Sequence, residues 1–413
     1  MADKQFEKLR GINRDVNLVS QEVAPMASAV GVLDRVISEE YLQRIQNLQG
    51  QLSQLQTGWR IRKRSTEADT YRSQMIMPYL DSVLESLQAN VLLAREGDDR
   101  DSTRLFELRA QVDQVPIEIL ETALEDYHVA VEKFFGSQRG LVNNPMPRVH
   151  SLNVRHYADK AGAIKTALDE QASRIFGRII HTESNFDVKE RSPHHFLGQI
   201  NVGYEHAEPN LVRITAHEGP FGHNTHYLMS DDTMFGHQFV HSAEGLAILG
   251  ENLAISMFYG ANPERADAFA DFYRAKRIMD DALGAAYEFL AFHERQPVGQ
   301  IASKLDSRYL DPKILRQNIR GLGEQREAKF SFGASPYFAG AKLIGEIHTT
   351  AMDTVIDKLK DPERGTNKLM RVMYSGLRPA HSIATHVKLD LEAAVEAESL
   401  NGETGNARNG YSP

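Results

Sequence analysis

The chain has 413 residues, of which 41% are hydrophobic and 25% charged, a composition that excludes a mainly disordered or fibrous protein. It contains no cysteine, which excludes disulfide frameworks, thiolate zinc fingers, cysteine-ligated iron–sulfur clusters and a cysteine nucleophile. The net charge of -9 argues against a general nucleic-acid partner. The N-terminus has no apolar core of a signal peptide, and no stretch approaches the ~20 apolar residues of a membrane span. We therefore expect a cytoplasmic protein without membrane contact.

The first 150 residues have the pattern of a helical N-terminal half. Apolar residues recur at helical spacing over residues 30–56, 74–93 and 117–135, which predicts amphipathic helices with buried stripes. Residues 136–154 are rich in glycine, asparagine and proline, as turns are. We therefore predict a helical half over residues 1–150 and a second half over residues 151–398, both within one compact unit.

The second half is also predicted to be mainly helical, with helices over residues 211–260, 263–294, 338–360 and 367–396. Its best strand candidate lies at residues 199–204. Residues 399–413 are polar and lack apolar periodicity, so we predict a disordered tail. The expected fold class is mainly α, with at most a small β element.

Histidines are concentrated in one part of this second half. Nine of the 16 histidines lie between positions 181 and 241. Without cysteine, imidazole and carboxylate groups must supply the ligands of any transition-metal site, and this window is where such a site is expected.

The segment HEGPFGH at residues 217–223 carries the clearest signal for chemistry. A His-Glu pair followed by a second histidine is typical of zincins, in which imidazoles hold Zn²⁺ and the glutamate activates water. Here His223 lies six residues after His217, about 600° of helical turn, so a regular helix would point the two rings apart. Pro220 and Gly222 lie between them, and both residue types disrupt a helix. We therefore predict an irregular helix that brings His217 and His223 together.

A carboxylate ligand is expected about one helix further along the chain. Glu244 lies 21 residues after His223 in a strongly helical stretch, and Glu251 follows seven residues later on the same face. This separation suits a second helix packed antiparallel to the first.

These motifs resemble the bacterial family called domain of unknown function 885, relatives of the glutamate-zincin metallopeptidases. That family carries His-Glu-x-x-Pro-Gly-His, then Glu-Gly-Trp-Ala on the next helix, an arginine-rich helix and a Tyr-x-x-Gly turn. This sequence has HEGPFGH at 217–223, EGLA at 244–247, RAKR at 274–277 and YFAG at 337–340. The segment FLGQINVG before the first motif also looks like a strand of that family. The resemblance covers about residues 190–390.

The resemblance implies a large, zincin-like helical metallopeptidase fold and a set of site residues. It implies that His217, His223 and Glu244 hold the metal and that Glu218 is the general base. It also implies that Arg277 and Tyr337 bind substrate or stabilise a developing oxyanion.

The sequence departs from the family pattern at several positions. The proline of the first motif is shifted to Pro220, Leu246 replaces the family's tryptophan, and the histidine expected shortly after Asp280 is missing. These departures put peptidase activity in doubt more than metal binding. Three further residues are candidates for substrate or outer-sphere roles: His226, His241 and Glu251.

Other interpretations of the histidine-rich region stay open. His237, His241 and Glu244 share one helix face and could belong to a non-haem iron or di-metal carboxylate site. A non-hydrolytic Fe²⁺-dependent lyase, cyclase or oxygenase of a small-molecule biosynthetic pathway is one alternative function, and a non-catalytic helical binding module is another. The paired His194 and His195 are weaker candidates for contact with the site.

The leading expectation is a Zn²⁺-dependent hydrolase. It would act on a small molecule or a short peptide through a water activated by Glu218. Homo-oligomers are compatible with the sequence, and no nucleic-acid or membrane partner is expected.

Overall fold

Helices dominate the part of the chain that the computed structural model describes. The structure describes residues 2–23, 34–60, 67–96, 102–147, 154–185, 194–196, 199–201, 207–230, 239–309, 311–313, 315–317, 319–320, 333–376 and 378–408. The fold class is mainly α with a small β element, which confirms the prediction from the sequence. None of the helices in these ranges combines the length and apolar character needed to cross a membrane.

The N-terminal half is built from six helices within the described ranges. Their bounds are α1 (Ala2–Val23), α2 (Arg35–Arg60), α3 (Glu67–Glu96), α4 (Ser102–Val112), α5 (Ile117–Glu121) and α6 (Ala123–Asn143). The apolar stripes found in the sequence over residues 74–93 and 117–135 are largely buried, as expected. The stripe in α2 is buried from Ile45 to Leu55, but Val36 and Ile37 at the start of the helix are exposed, so the prediction is wrong there.

The second half opens with a helix and a small sheet. Helix α7 (Val154–Phe176) is followed by β1 (Glu183–Asn185), β2 (His194–Phe196) and β3 (Gln199–Asn201). Strand β3 lies in the middle of the sheet, parallel to β1 and antiparallel to β2. It begins where the sequence predicts a strand, and residues 202–204 of that prediction lie outside the described residues.

The remaining elements surround the histidine-rich motif. They are α8 (Glu208–Glu218), α9 (His223–Ser230), α10 (Val240–Tyr259), α11 (Pro263–Glu288), a π-helical turn (Phe289–His293), α12 (Val298–Lys304), α13 (Ser335–Lys358), α14 (Pro362–Tyr374) and α15 (Ala380–Arg408). Local sequence explains several of the starts. Prolines occupy the first turns of α8, α11, α13 and α14, where no amide hydrogen bond is lost. The side chains of Asn262 and Asp361 cap α11 and α14.

The hydrophobic core does not divide at residue 150. Helices α1–α3 share one apolar cluster, but α4–α6 pack into a cluster with the later helices α11, α12 and α13. A third cluster joins α7, α8, α10, α11 and α13–α15. A fourth cluster joins α4 to α3 through Leu105 and Leu108, so residues 102–143 connect the two predicted halves by packing.

Two local predictions differ from the structure. The predicted turn at 136–154 is helical up to Asn143, because α6 packs closely on α11 and Gly140 faces Ala268, where an added Cβ would lie 3.5 Å from the alanine Cβ. In the predicted disordered tail at 399–413, α15 continues to Arg408, and residues 409–413 lie outside the described residues. The extension is consistent with helix propagation, which needs no new nucleus once a helix has formed.

Helix α10 lies at the centre of the second half and is buried on nearly all sides. Its contact with α13 is a backbone contact: a Cβ on Gly245 would lie 2.3 Å from the carbonyl oxygen of Gly340, and a Cβ on Gly340 would lie 1.9 Å from that of His241. Glycine is required at both positions because no side chain fits between the two helices. This close approach places the start of α13 beside the acidic residues of α10.

Candidate metal centre

A tight turn between α8 and α9 brings the two histidines of the motif together. Helix α8 ends at Glu218, and the amides of Gly219 and Phe221 bond back to Thr215 and Ala216 before α9 begins at His223. A Cβ on Gly222 would lie 1.6 Å from the carbonyl oxygen of His217, so only glycine fits there. The imidazole rings of His217 and His223 consequently lie 4.9 Å apart, centroid to centroid, at 87° to each other. The predicted irregularity between the two histidines is confirmed.

Helix α10 brings a carboxylate to the same point. Oε2 of Glu244 lies 3.3 Å from Nε2 of His217, and Oε1 of Glu244 lies 3.5 Å from Nε2 of His223. All three side chains are largely buried. Within the described part of the chain these residues form a group that could hold a metal ion, with one ligand atom from each lying within 4.8 Å of the others.

The two distances from Glu244 to the histidines fit a divalent transition metal. Bonds of about 2.0–2.2 Å to nitrogen and oxygen in a tetrahedral site correspond to ligand–ligand separations of about 3.3–3.6 Å. The two separations from Glu244 are 3.3 and 3.5 Å. Oε2 of Glu244 is also buried without a hydrogen bond of good geometry, since its contact with Nε2 of His217 is 3.3 Å long, and this is costly for a carboxylate oxygen unless a cation is close. The donor set and its spacing therefore suit a bound metal, and they leave its identity open.

A second carboxylate reinforces the charge of the group. Oε1 of Glu251 lies 2.7 Å from Nδ1 of His217, on the side of the ring opposite Glu244. Burial alone would lower the pKa of His217, but hydrogen bonding to Glu244 and Glu251 and their charges raise it to about 9. For Glu251, burial opposes ionisation, yet Arg213 and His217 hold its pKa well below the usual range. The centre is thus a buried cluster of opposite charges, in which Glu251 stands behind the predicted ligand His217.

Tyr337 at the start of α13 faces the same group. Burial, the charge of Glu244 and a hydrogen bond to Glu244 all raise the pKa of the Tyr337 hydroxyl well above its usual range. The charge of Glu218 acts in the same direction, so Glu218 also lies near this hydroxyl. Glu218 is buried beside His217 at the end of α8. Two of the three predicted catalytic residues, Glu218 and Tyr337, therefore lie close to this group.

Arg277 lies next to the Tyr337 ring, outside the group of His217, His223 and Glu244. Its Nε donates to Oδ2 of Asp281 at 2.8 Å, and its guanidinium carbon lies 5.4 Å from the centroid of the Tyr337 ring. Together with Glu251 it lines a cavity of about 540 Å³ between α10, α11 and α13. Arg277 thus contacts Tyr337 and Asp281 and lines this cavity, and its role towards substrate or a developing oxyanion stays a prediction.

The other histidines of the window bond elsewhere, where they are described. Nε2 of the buried His226 lies 3.1 Å from the carbonyl oxygen of Gly376, and Nε2 of His241 accepts the amide of Ala380 at 3.0 Å. Burial lowers the pKa of both imidazoles to about 4. They hold the segment before α15 in place and do not join the group at Glu244. His237 and the side chains of His194 and His195 lie outside the described residues, so the alternative ligand set is only partly visible.

Sequence patterns gave no sign of Tyr374 and Arg213, both of which support the centre. The buried hydroxyl of Tyr374 lies 2.5 Å from the carbonyl oxygen of Phe221 and 2.7 Å from that of Leu246, so it ties the turn to α10. Arg213 contacts Oε2 of Glu251 at 2.8 Å. Both contacts join residues far apart in the chain, and no local motif marks them.

Comparisons with known proteins add evidence on the fold. No family model matches the chain, and no curated protein matches it significantly. Among solved structures it is similar to "the putative lipoprotein from Colwellia psychrerythraea", with a TM-score of 0.50 and 11% sequence identity. The match covers 92% of this chain and 69% of the other. At this identity the likeness shows a shared fold over most of the chain and nothing about activity.

Proposed function

We propose that the protein is a metal-dependent hydrolase that acts on a peptide or an amide-like small molecule. The observation that carries the proposal is the convergence of His217, His223 and Glu244, with Glu218 directly beside one ligand and Tyr337 facing the group. The resemblance of HEGPFGH and EGLA to the glutamate-zincin relatives supports the same assignment.

The residues of the centre can divide the work of hydrolysis among them. His217, His223 and Glu244 would hold a zinc ion, which when bound lowers the pKa of water and polarises a carbonyl group. Glu218 would accept a proton from the attacking water and return it to the leaving amine. Tyr337 would donate its hydroxyl to the developing oxyanion once a cation has taken over the charge of Glu244.

A Glu218→Gln variant tests this division of roles. We expect the variant to bind Zn²⁺ like the wild type, because Glu218 is not a ligand, and to lose about 10²–10⁴-fold in turnover, the usual contribution of a general base. The probes are a library of quenched fluorescent peptides and a panel of p-nitroanilide amides. Glu264→Gln, at an exposed position of α11, is the control. Full turnover in Glu218→Gln, or no hydrolysis by the zinc-loaded wild type, would contradict the proposal.

A non-hydrolytic iron enzyme is a second candidate, favoured by one specific observation. Two imidazoles and one carboxylate are also the ligand set of non-haem Fe²⁺ oxygenases. Anaerobic loading with Fe²⁺ followed by oxygen distinguishes the two candidates. Oxygen consumption that depends on His217 and His223 supports the iron enzyme, and its absence together with zinc-dependent hydrolysis supports the hydrolase.

A further inference from the structure

The far side of the His217 ring is held by a chain of two charged residues. Nδ1 of His217 and Oε1 of Glu251 lie 2.7 Å apart, and neither atom hydrogen-bonds to anything else among the described residues. A carboxylate offers only acceptors, so the imidazole nitrogen that faces it carries the proton. Nε2 faces Glu244 in the same way, so a cation bound at the candidate metal group would replace the proton of Nε2, while the proton of Nδ1 stays towards Glu251.

Arg213 fixes the other oxygen of the same carboxylate. Its Nη1 donates to Oε2 of Glu251 at 2.8 Å and its Nε to Oδ1 of Asn210 at 2.9 Å. The guanidinium carbon also lies 5.8 Å from the centroid of the Tyr273 ring. Three neighbours from α8, α10 and α11 therefore set the position of this guanidinium.

The Arg213–Glu251 pair connects helix α8 to helix α10. Arg213 and His217 are four residues apart on α8 and project from the same side of it, whereas Glu251 comes from α10. Because Arg213 holds one carboxylate oxygen, the other oxygen is presented to His217 in a single orientation. The side chain of Glu251 is only 5% exposed, so water cannot readily replace either partner.

We propose that Arg213 and Glu251 are positioning residues for the metal ligand His217. The pair fixes both the rotation of the imidazole ring and the nitrogen that carries its proton. This role rests on the proposed function, since it requires a cation at His217, His223 and Glu244. Outer-sphere partners of this kind typically contribute 10–100-fold to metal affinity.

Titration with Co²⁺ tests the proposal, because the visible spectrum of bound Co²⁺ reports ligand geometry without a substrate. We expect Glu251→Ala and Arg213→Met to weaken Co²⁺ binding about 10–100-fold and to shift the visible bands. Glu251→Gln keeps an acceptor oxygen and should fall between them and the wild type. Arg44→Met removes a guanidinium paired with Glu22 far along the chain and should leave binding unchanged.

A double variant guards against simple loss of folding. Removing one charge leaves the other buried and unpaired, whereas Arg213→Met with Glu251→Gln removes both at similar volume. We expect this double variant to fold and still to bind Co²⁺ weakly, with a shifted spectrum. Wild-type affinity and an unchanged spectrum in the folded variants would overturn the positioning role alone. Absence of Co²⁺ binding by the wild type would overturn the proposed function and the positioning role with it.

Discussion

Gly250 offers a sharp test of how the turn between the two histidines is built. An alanine Cβ at this position would lie 2.0 Å from the carbonyl oxygen of Phe221, at least 1 Å closer than the 3.0 Å that real Cβ atoms keep. Helix propensity alone predicts that Gly250→Ala stabilises α10 by about 1 kcal/mol. The clash predicts the opposite, because the turn or α10 must move by about 1 Å, and overpacking of this kind costs about 1–3 kcal/mol.

A movement of this turn or of α10 would displace the candidate metal ligands. Phe221 lies two residues before His223, and the separations within the group are only 3.3 and 3.5 Å. We expect Gly250→Ala to unfold at lower denaturant concentration than the wild type and to bind Zn²⁺ at least about 10-fold more weakly, a change of about 1.4 kcal/mol. Urea unfolding and competitive Zn²⁺ titration measure the two effects.

Gly162→Ala is the matched control for this experiment. Gly162 lies inside α7 and has nothing within 4 Å of an added Cβ. We expect this variant to gain about 0.5–1 kcal/mol in stability and to keep its zinc affinity. If Gly250→Ala behaved like the control in both assays, the close packing of α10 against the ligand turn would be refuted.

Three further substitutions test the supports of the centre. Tyr374→Phe removes the hydroxyl that contacts the carbonyl oxygen of Phe221, so we expect a loss of about 1–3 kcal/mol in urea unfolding together with weaker Zn²⁺ binding; unchanged values would contradict the role of this tie. The pKa of buried His241 is about 4 in the folded state, below its unfolded value of 6.5. The neutral imidazole therefore contributes to the stability of the fold above pH 6.5, and this contribution is lost as the pH falls towards 4. Between pH 6.5 and 4, the unfolding free energy of His241→Gln should therefore fall less steeply with pH than that of the wild type. Equal dependence on pH in the two proteins would contradict a neutral, buried His241. The buried carboxylate of Glu288 accepts hydrogen bonds from both the amide and the hydroxyl of Ser335 at the start of α13. Glu288→Ala should therefore lower the unfolding free energy by about 3 kcal/mol, and a thermal unfolding curve like that of the wild type would contradict this role.

Local sequence was sufficient to predict which residues form the candidate metal group, and it indicated Glu251, but it did not indicate Arg213 or Tyr374. The spacing of His217 and His223 around Pro220 and Gly222 predicted a broken helix, because a regular one would separate the rings. Glu244 and Glu251 could be placed on one face of a helix because their spacing of seven residues equals about two turns.

Long-range packing accounts for what the sequence missed. Gly140 looked like a turn residue, yet it lies within α6 against Ala268 of α11, and only the partner helix reveals this. Arg213 and Tyr374 act on residues 38 and 153 positions away, so no local pattern marks them. The histidine count likewise overstated the site, since burial directs His226 and His241 to backbone groups elsewhere.

Metal stoichiometry tests the central claim most directly. Purified protein, stripped with chelator and titrated with Zn²⁺, should bind one equivalent tightly in the wild type and in the surface control His181→Ala. His217→Ala and His223→Ala should each lose this tight binding, because each removes one of the three ligands. A wild type that binds no zinc and no other divalent transition metal, or histidine variants that bind as tightly as the wild type, would contradict the assignment of this centre.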